Sequence, residues 1–339
     1  MPTDPETPRP TVLVTGGAGY IGSHAVLALL DAGWKVVVID NLVTGFRWAV
    51  PEAATFAEGD IADAALVGRL IAEHGIGAII HFAGSVVVPE SVSDPLKYYD
   101  NNTVRSRSLI ESAVKGGVRH FIFSSTAATY GIPASSPISE DAPTRPINPY
   151  GMSKLMTEAM LADVARAHPI NYCALRYFNV AGADPRGRSG QSTAGATHLI
   201  KVAVEAATGK RGHVSVYGTD YATPDGTGVR DYIHVSDLAA AHVHALEQLI
   251  EDSAASHILN CGYGRGFSVL EVLDAVDRVT NVTVERRMEP RRAGDPDALV
   301  ADNRAILARL PWRPERAALD TIVRDALAWE RALSERTRG

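Results

Sequence analysis

TVLVTGGAGYIG, residues 11–22, decides how the rest of the chain is read. A short β-branched run closes on Thr15, glycines follow, and YIGSHAVLALLDAG (20–33) continues with apolar residues at helical spacing up to a glycine stop. Strand, glycine turn and helix in immediate succession make the first βα unit of a parallel sheet. Gly16, Gly19 and Gly22 stand at G-x-x-G-x-x-G, one residue different from the commoner dinucleotide fingerprint. Gly16 permits the tight turn, Gly19 lets backbone N–H groups approach a pyrophosphate, and Gly22 lets the helix pack on the sheet. The helix N-terminus adds partial positive charge for the phosphates. The next strand, KVVVID (35–40), ends on Asp40, a carboxylate able to accept from both hydroxyls of an adenosine ribose and to repel a 2′-phosphate. Together these features point to NAD rather than NADP.

Working outward, TFAEGD (55–60), GAIIHFAG (77–84) and VRHFIFSST (118–126) are further strands, with helical stretches between them. NPYGMSKLMTEAMLADVARAH (148–168) is a long helix with Pro149 in its first turn, and NYCALRYFNV (171–180) is one more strand. Beyond Gly182 the texture changes to polar, glycine-rich loops at 183–196 and 217–232, separated by helices such as HLIKVAVEAATG (198–209) and SVLEVLDAVDRVT (268–280). The expectation is an α/β protein: a Rossmann-type doubly wound parallel sheet over residues 11–180 and a smaller α/β substrate domain over 181–339, with 233–260 packing back on the first. MPTDPETPRP carries four prolines and no apolar core of a signal peptide, so residues 1–10 read as a disordered leader on a cytoplasmic protein.

Composition narrows the function classes. Across 339 residues, 33 basic and 39 acidic side chains leave a net charge of −6 without a Lys/Arg run, which argues against a nucleic-acid surface. No apolar stretch approaches the ~18 residues that span a bilayer. Two cysteines, Cys173 and Cys261, make neither a disulfide framework nor a four-ligand zinc site. His242 and His244 lie two apart and so point to different sides of a helix, so no metal site is expected.

Tyr150 and Lys154, in YGMSK, share a helical face four residues apart. A phenol with an ordinary pKa near 10 is a poor base at neutral pH, but a neighbouring ammonium and a positive nicotinamide favour the phenolate. That yields a base able to take a proton from an alcohol while hydride leaves the same carbon. Alone the pair is a common tyrosine beside a solvated lysine; behind a dinucleotide loop and FSST it gains weight. Thr126 ends the FSST strand, where an α/β sheet presents its ligands, with a hydroxyl for the reacting alcohol and the tyrosine oxygen.

TGGAGYIGSH, DNL, EGDI, IHFAG, ESVSDPLKYYDNN, FIFSS, YGMSK, LRYFN, DGTGVRDYIHVSDL and RRAGD follow one another across nearly the whole chain. In this order they resemble the UDP-glucose 4-epimerases of the extended short-chain dehydrogenase/reductase family. The resemblance implies NAD contacts at Gly16, Gly19, Tyr20, Ile21, Gly22, Asp40 and Asn41, with Asp60 and Ile61 at the adenine. It further implies that Phe82, Ala83, Gly84 and Asn101 line the cofactor, that Tyr150, Lys154 and Tyr177 flank its nicotinamide side, and that Thr126 and Tyr150 are the catalytic hydroxyl pair, with Lys154. It places Asn179, His198, Leu199, Tyr217, Arg230, Arg292, Asp295 and Leu299 on the UDP-sugar. Arginine suits a diphosphate because its fork makes bidentate, charge-assisted bonds. It also implies a homodimer through 95–114 and the Tyr150 helix.

Three positions depart from the family pattern: Val86 where many members carry a lysine that contacts the cofactor, His198 where asparagine is common, and Leu299 where tyrosine often bounds the sugar pocket. The expected activity is interconversion of UDP-galactose and UDP-glucose by oxidation at C4, rotation of the 4-keto sugar and re-reduction. Another UDP-sugar epimerase, acting on N-acetylhexosamines or pentoses, is the alternative. A nucleotide-sugar dehydratase would place acidic residues after the threonine, where this chain has Ala127 and Ala128. A non-enzymatic NAD-binding protein on the same fold is the reading from another class.

Overall fold

The Val/Ile runs expected to be strands lie side by side in one sheet. A computed structural model describes residues 9–292 and 294–336. The first half of the chain runs β1 (Thr11–Thr15), α1 (Tyr20–Asp31), β2 (Val36–Asp40), β3 (Thr55–Glu58), α2 (Ala64–His74) and β4 (Ile76–His81). Two short helices follow, α3 (Val88–Ser93) and α4 (Pro95–Tyr98), then α5 (Arg105–Lys115), β5 (His120–Thr126), α6 (Pro149–Ala167) and β6 (Asn171–Tyr177). The second half begins with β7 (Asn179–Ala181), α7 (Leu199–Ala207), β8 (Val214–Tyr217), β9 (Val229–His234), α8 (Val235–Glu251) and β10 (His257–Cys261). It closes with β11 (Gly266–Ser268), α9 (Val269–Thr280), β12 (Arg286–Glu289), β13 (Ala298–Leu299), α10 (Arg304–Arg309) and α11 (Leu319–Arg336). Among the described residues no helix is long and apolar enough to cross a membrane.

Seven parallel strands in the order β10-β6-β5-β4-β1-β2-β3 form the central sheet of a Rossmann-type, doubly wound fold. Side chains alternate through it, so Val12, Val14, Val36 and Val38 enter one core while Leu13, Val37 and Ile39 enter the other. The first core is closed by α1 and α8, the second by α2, α5 and α6. Burial on both faces is why these strands read as continuous apolar runs rather than alternating ones. The order reverses between β1 and β4, and this opens a crevice at the carboxyl edge, where open α/β sheets bind ligands.

The expected strand over 171–180 is two strands. β6 stops at Tyr177 because both neighbours run out there: Thr126 is its last partner on β5 and Cys261 its last on β10. The chain then joins another sheet, where Asn179 pairs with Tyr232 of β9. That sheet also holds β11 and β13, and it backs a third core formed with α7, α9 and α11. α8 and β10 return to the first core, and Ile306, Leu310 and Trp312 return to it again. They return because the β6 edge and the outer face of α1 would otherwise leave apolar surface uncovered. Of the proposed leader, residues 1–8 lie outside the described residues. Arg9 donates to the Ala32 carbonyl at 2.8 Å, with its guanidinium 4.8 Å from the Trp34 ring centre.

Candidate active site

The glycine turn after β1 is tightly closed. Gly16 has φ +68°, and a Cβ there would stand 2.7 Å from the Ala83 nitrogen. A Cβ on Gly22 would stand 2.1 Å from the Gly16 carbonyl oxygen, so Gly22 admits the turn's own backbone rather than the sheet. The glycine that meets the sheet is Gly17, whose Cβ would strike Val38 Cγ1 at 2.7 Å; its signal was the doubled glycine of TGGAG. Gly19 caps α1 without a side-chain bond, and the first turn carries no acidic residue, which leaves its N–H groups available to an anion. Tyr20 and Ile21 contribute backbone to that turn. The Tyr20 side chain is committed elsewhere, its hydroxyl donating to the Gly182 carbonyl at 2.7 Å.

Asp40 ends β2 almost wholly buried, and its two oxygens accept the Ala18 and Leu42 N–H groups at 2.9 and 2.8 Å. The carboxylate thus braces the glycine loop as well as facing the crevice. Burial pushes its pKa up against those two hydrogen bonds. Asn41 is exposed and accepts the Val43 N–H at 3.2 Å. Asp60 follows β3 and pairs with Arg105 of α5, while the Ile61 side chain is buried in the second core. After β4, the Phe82 N–H donates to the Thr15 carbonyl at 3.0 Å, and a Cβ on Gly84 would meet Asn102 Oδ1 at 2.9 Å. Asn101 donates to Ser85 Oγ at 2.9 Å. Asn101 lies in the helical turn before α5; the others follow the carboxyl ends of β3, β2, β1 and β4 in turn, one continuous edge.

The same edge continues to the reactive hydroxyls. Asn148 caps α6 by accepting the Gly151 N–H at 2.8 Å, Pro149 starts the helix, and Tyr150 stands in its first turn. The Tyr150 phenol lies on the side of Thr126 at the end of β5. Desolvation pushes the phenol pKa up, and the Thr126 side chain opposes it. Lys154 is buried, donates to the Ser124 carbonyl at 3.0 Å, and lies 5.0 Å from the Phe123 ring centre. Burial pushes its own pKa down to about 8.

Several supporting residues escaped the sequence reading. Asn102 is buried, accepts the Ser85 N–H at 2.7 Å and donates to the Ser85 carbonyl and to Ser153 Oγ at 3.0 and 3.1 Å, tying the loop after β4 to α6. Its signal was the doubled asparagine, of which only Asn101 was taken up. Ser106 donates to the Asn102 carbonyl at 2.6 Å, so it accepts from His81 Nε2 at 2.8 Å, leaving His81 Nδ1 to accept the Thr15 hydroxyl at 2.7 Å. Burial keeps His81 neutral, its pKa pushed down to about 3. Glu158, one turn beyond Lys154, receives Arg176 of β6 at 3.0 and 2.6 Å and the Ser125 hydroxyl, all three buried. Tyr177, the last residue of β6, gives its hydroxyl to His242 of α8.

Beside the hydroxyls lies the four-stranded sheet. Asn179 opens β7, Arg230 lies on β9, and Leu299 on β13 pairs with Arg230. Leu299 is half-buried against Ala127, Tyr130 and Ile138, next to Thr126. Tyr217 ends β8 with the Arg292 guanidinium 3.7 Å from its ring centre, whereas the neighbouring Arg291 is bound to Asp220 at 2.6 Å. The Asp295 N–H donates to the Arg292 carbonyl at 3.3 Å, closing the RRAGD turn. His198 is exposed at the N-cap of α7, and Leu199 is the first residue of that helix. Val86 is exposed.

Residues 12–262 match the model of the NAD dependent epimerase/dehydratase family. A UDP-glucose 4-epimerase of Azospirillum brasilense is 55% identical over 333 residues, covering 98% of this chain and 95% of the relative. The crystal structure of UDP-glucose-4-epimerase from Stenotrophomonas maltophila, with bound NAD and formylated UDP-arabinopyranose, superposes with TM-score 0.93 at 40% identity, covering 97% of this chain and all of that one. The UDP-Glc/GlcNAc 4-epimerase of Campylobacter jejuni superposes with TM-score 0.84 at 46% identity, covering 96% of this chain and 100% of that one. The glycine cradle, the edge of strand ends and the Thr126–Tyr150 pair are therefore those of a chain that belongs to the NAD dependent epimerase/dehydratase family.

Proposed function

We infer that this chain interconverts UDP-galactose and UDP-glucose with bound NAD. The observation that carries the reading is the placing of Thr126 and Tyr150 together beside a buried Lys154, on the same sheet edge as a glycine cradle closed to a Cβ at Gly16, Gly17 and Gly22. The cradle, the acid-free first turn of α1 and the Asp40 carboxylate all suit a dinucleotide with an unmodified ribose. Gly16, Gly19, Tyr20, Ile21 and Gly22 would hold the pyrophosphate, Asp40 and Asn41 the ribose, and Asp60 and Ile61 the adenine. Phe82, Ala83, Gly84, Asn101, Lys154 and Tyr177 would line the remainder. NAD supplies, when bound, a two-electron acceptor that is restored within the turnover.

The chain's own part is acid–base work and grip. Thr126 hydrogen-bonds the sugar 4-hydroxyl and supports the Tyr150 phenolate, which takes that proton and returns it after the sugar has turned. Lys154, with a pKa of about 8, is still protonated at pH 7 and places a positive charge beside the site. Asn179, His198, Leu199, Tyr217, Arg230, Arg292 and Asp295 grip the UDP, while Leu299 bounds the hexose. A firm hold on the nucleotide and a loose one on the sugar let the sugar turn in place. A homodimer suits the exposed apolar residues Leu96 (77%), Val104 (54%) and Met156 (41%), which lie on α4, before α5 and on α6. The buried, unbridged Cys173 and Cys261 suit a reducing cytoplasm.

The test is incubation with UDP-galactose and no added NAD. UDP-glucose is the expected product; a 4-keto-6-deoxy sugar or unchanged substrate would overturn the reading.

A further inference from the structure

We propose that His242 is a positioning residue: its imidazole sets the orientation of Tyr177 and Phe82, two of the aromatic residues assigned to the cofactor. The inference rests on the preceding reading that NAD lies along this sheet edge. His242 is fully buried on α8, a helix that arrives from the second half of the chain. Its Nδ1 lies 2.8 Å from the Leu238 carbonyl; a carbonyl only accepts, so Nδ1 carries the proton. Nε2 is therefore an acceptor, and the Tyr177 hydroxyl donates to it. The Phe82 ring centre stands 4.8 Å from that of the imidazole at an interplanar angle of 46°.

Phe82 follows β4 and Tyr177 ends β6, with β5 between them ending in Thr126. One imidazole thus reaches the residues that bracket the reacting hydroxyls from both sides. A leucine here would fill the space but leave a buried phenol without its acceptor. Burial pushes the imidazole pKa down to about 4, so the accepting lone pair persists through the neutral range.

The experiment compares His242→Leu, His242→Gln, Tyr177→Phe and the double variant His242→Leu/Tyr177→Phe in the full chain, scoring NAD retained per chain after purification, kcat and KM for UDP-galactose. His242→Leu should retain less NAD than the native chain and lose about tenfold to a hundredfold in kcat, the scale of a small misplacement, with KM within about twofold. His242→Gln, whose amide oxygen can accept in place of Nε2, should restore both. Because the two residues act through one bond, the double variant should be no worse than about twofold below Tyr177→Phe. Native NAD retention and kcat in His242→Leu, or equal loss in the Leu and Gln variants, overturns the proposal. Should His242→Leu not fold, Tyr177→Phe decides: native values there overturn it. A native chain that holds no NAD and leaves UDP-galactose unchanged overturns the functional reading itself, and this inference with it.

Discussion

At the scale of single residues, the site separates chemistry from fit. Tyr150 lies beside Thr126 and stands in a capped first helical turn, so Tyr150→Phe removes one oxygen from a preformed setting. NAD content and melting temperature should stay native while kcat falls by at least ~10²-fold, the usual scale for lost acid–base catalysis; steady-state turnover of UDP-galactose checks this. Leu299 lies against Ala127, immediately after Thr126, half-buried rather than sealed into the core. It lacks the ring of a tyrosine but exceeds a small residue, so it leaves some room beside the sugar. Weak activity on UDP-N-acetylglucosamine is expected, and Leu299→Tyr should abolish it while sparing UDP-glucose, because a misfit acts on the larger substrate alone. Equal loss of both activities would place Leu299 in the core instead.

At the scale of elements, α6 carries Tyr150 and Lys154 and is clamped by a buried ion pair. Glu158 holds Arg176 of β6 and the Ser125 hydroxyl, so the helix is pinned to the two strands that end at Thr126 and Tyr177. Arg176→Met strands the carboxylate and should cost about 3–5 kcal/mol, measured by urea unfolding; a change below about 1 kcal/mol would show that the pair holds nothing the packing does not already hold. This clamp shows where the sequence was legible and where it was not. Tyr150 and Lys154 could be paired on paper because four residues is one helical turn, and the glycine turn because strand and helix flank it directly. Glu158 lies on that same helical face, but its partner is on a strand eighteen residues away, and nothing local announces it. His242 was weighed only against His244, since its real partner Tyr177 is sixty-five residues distant. The break after Tyr177 was hidden because the apolar run continues unchanged while the neighbouring strands end.

At the scale of the whole molecule, neutral histidines are part of the core. His24, His81 and His242 are buried, with pKa values pushed down to about 4, 3 and 4. In the unfolded chain each takes a proton near pH 6.5, in the fold only near 3–4, so acid between those limits favours unfolding. Asp40, Glu140 and Asp231, all raised by burial and the last to about 6, work in the opposite sense over part of that range, while His120 and His257 are lowered like the first three histidines. The melting temperature should therefore fall from pH 7 to pH 4.5, as scanning calorimetry can record; a flat or rising profile would contradict the assignment. The return of β10 to the central sheet has a consequence during synthesis. Tyr177 leaves the ribosome about 80 residues ahead of Cys261, its partner on the neighbouring strand. At cellular elongation rates that interval is roughly 4–17 s. Throughout it the β6 edge is bare and the α1 face of the sheet lacks α8, so the nascent first half presents both a strand template and an apolar face to any chain nearby. Completion of the seven-stranded sheet is thus timed by translation of the segment that precedes β10, and a slow codon run between residues 181 and 256 would lengthen the exposure in direct proportion.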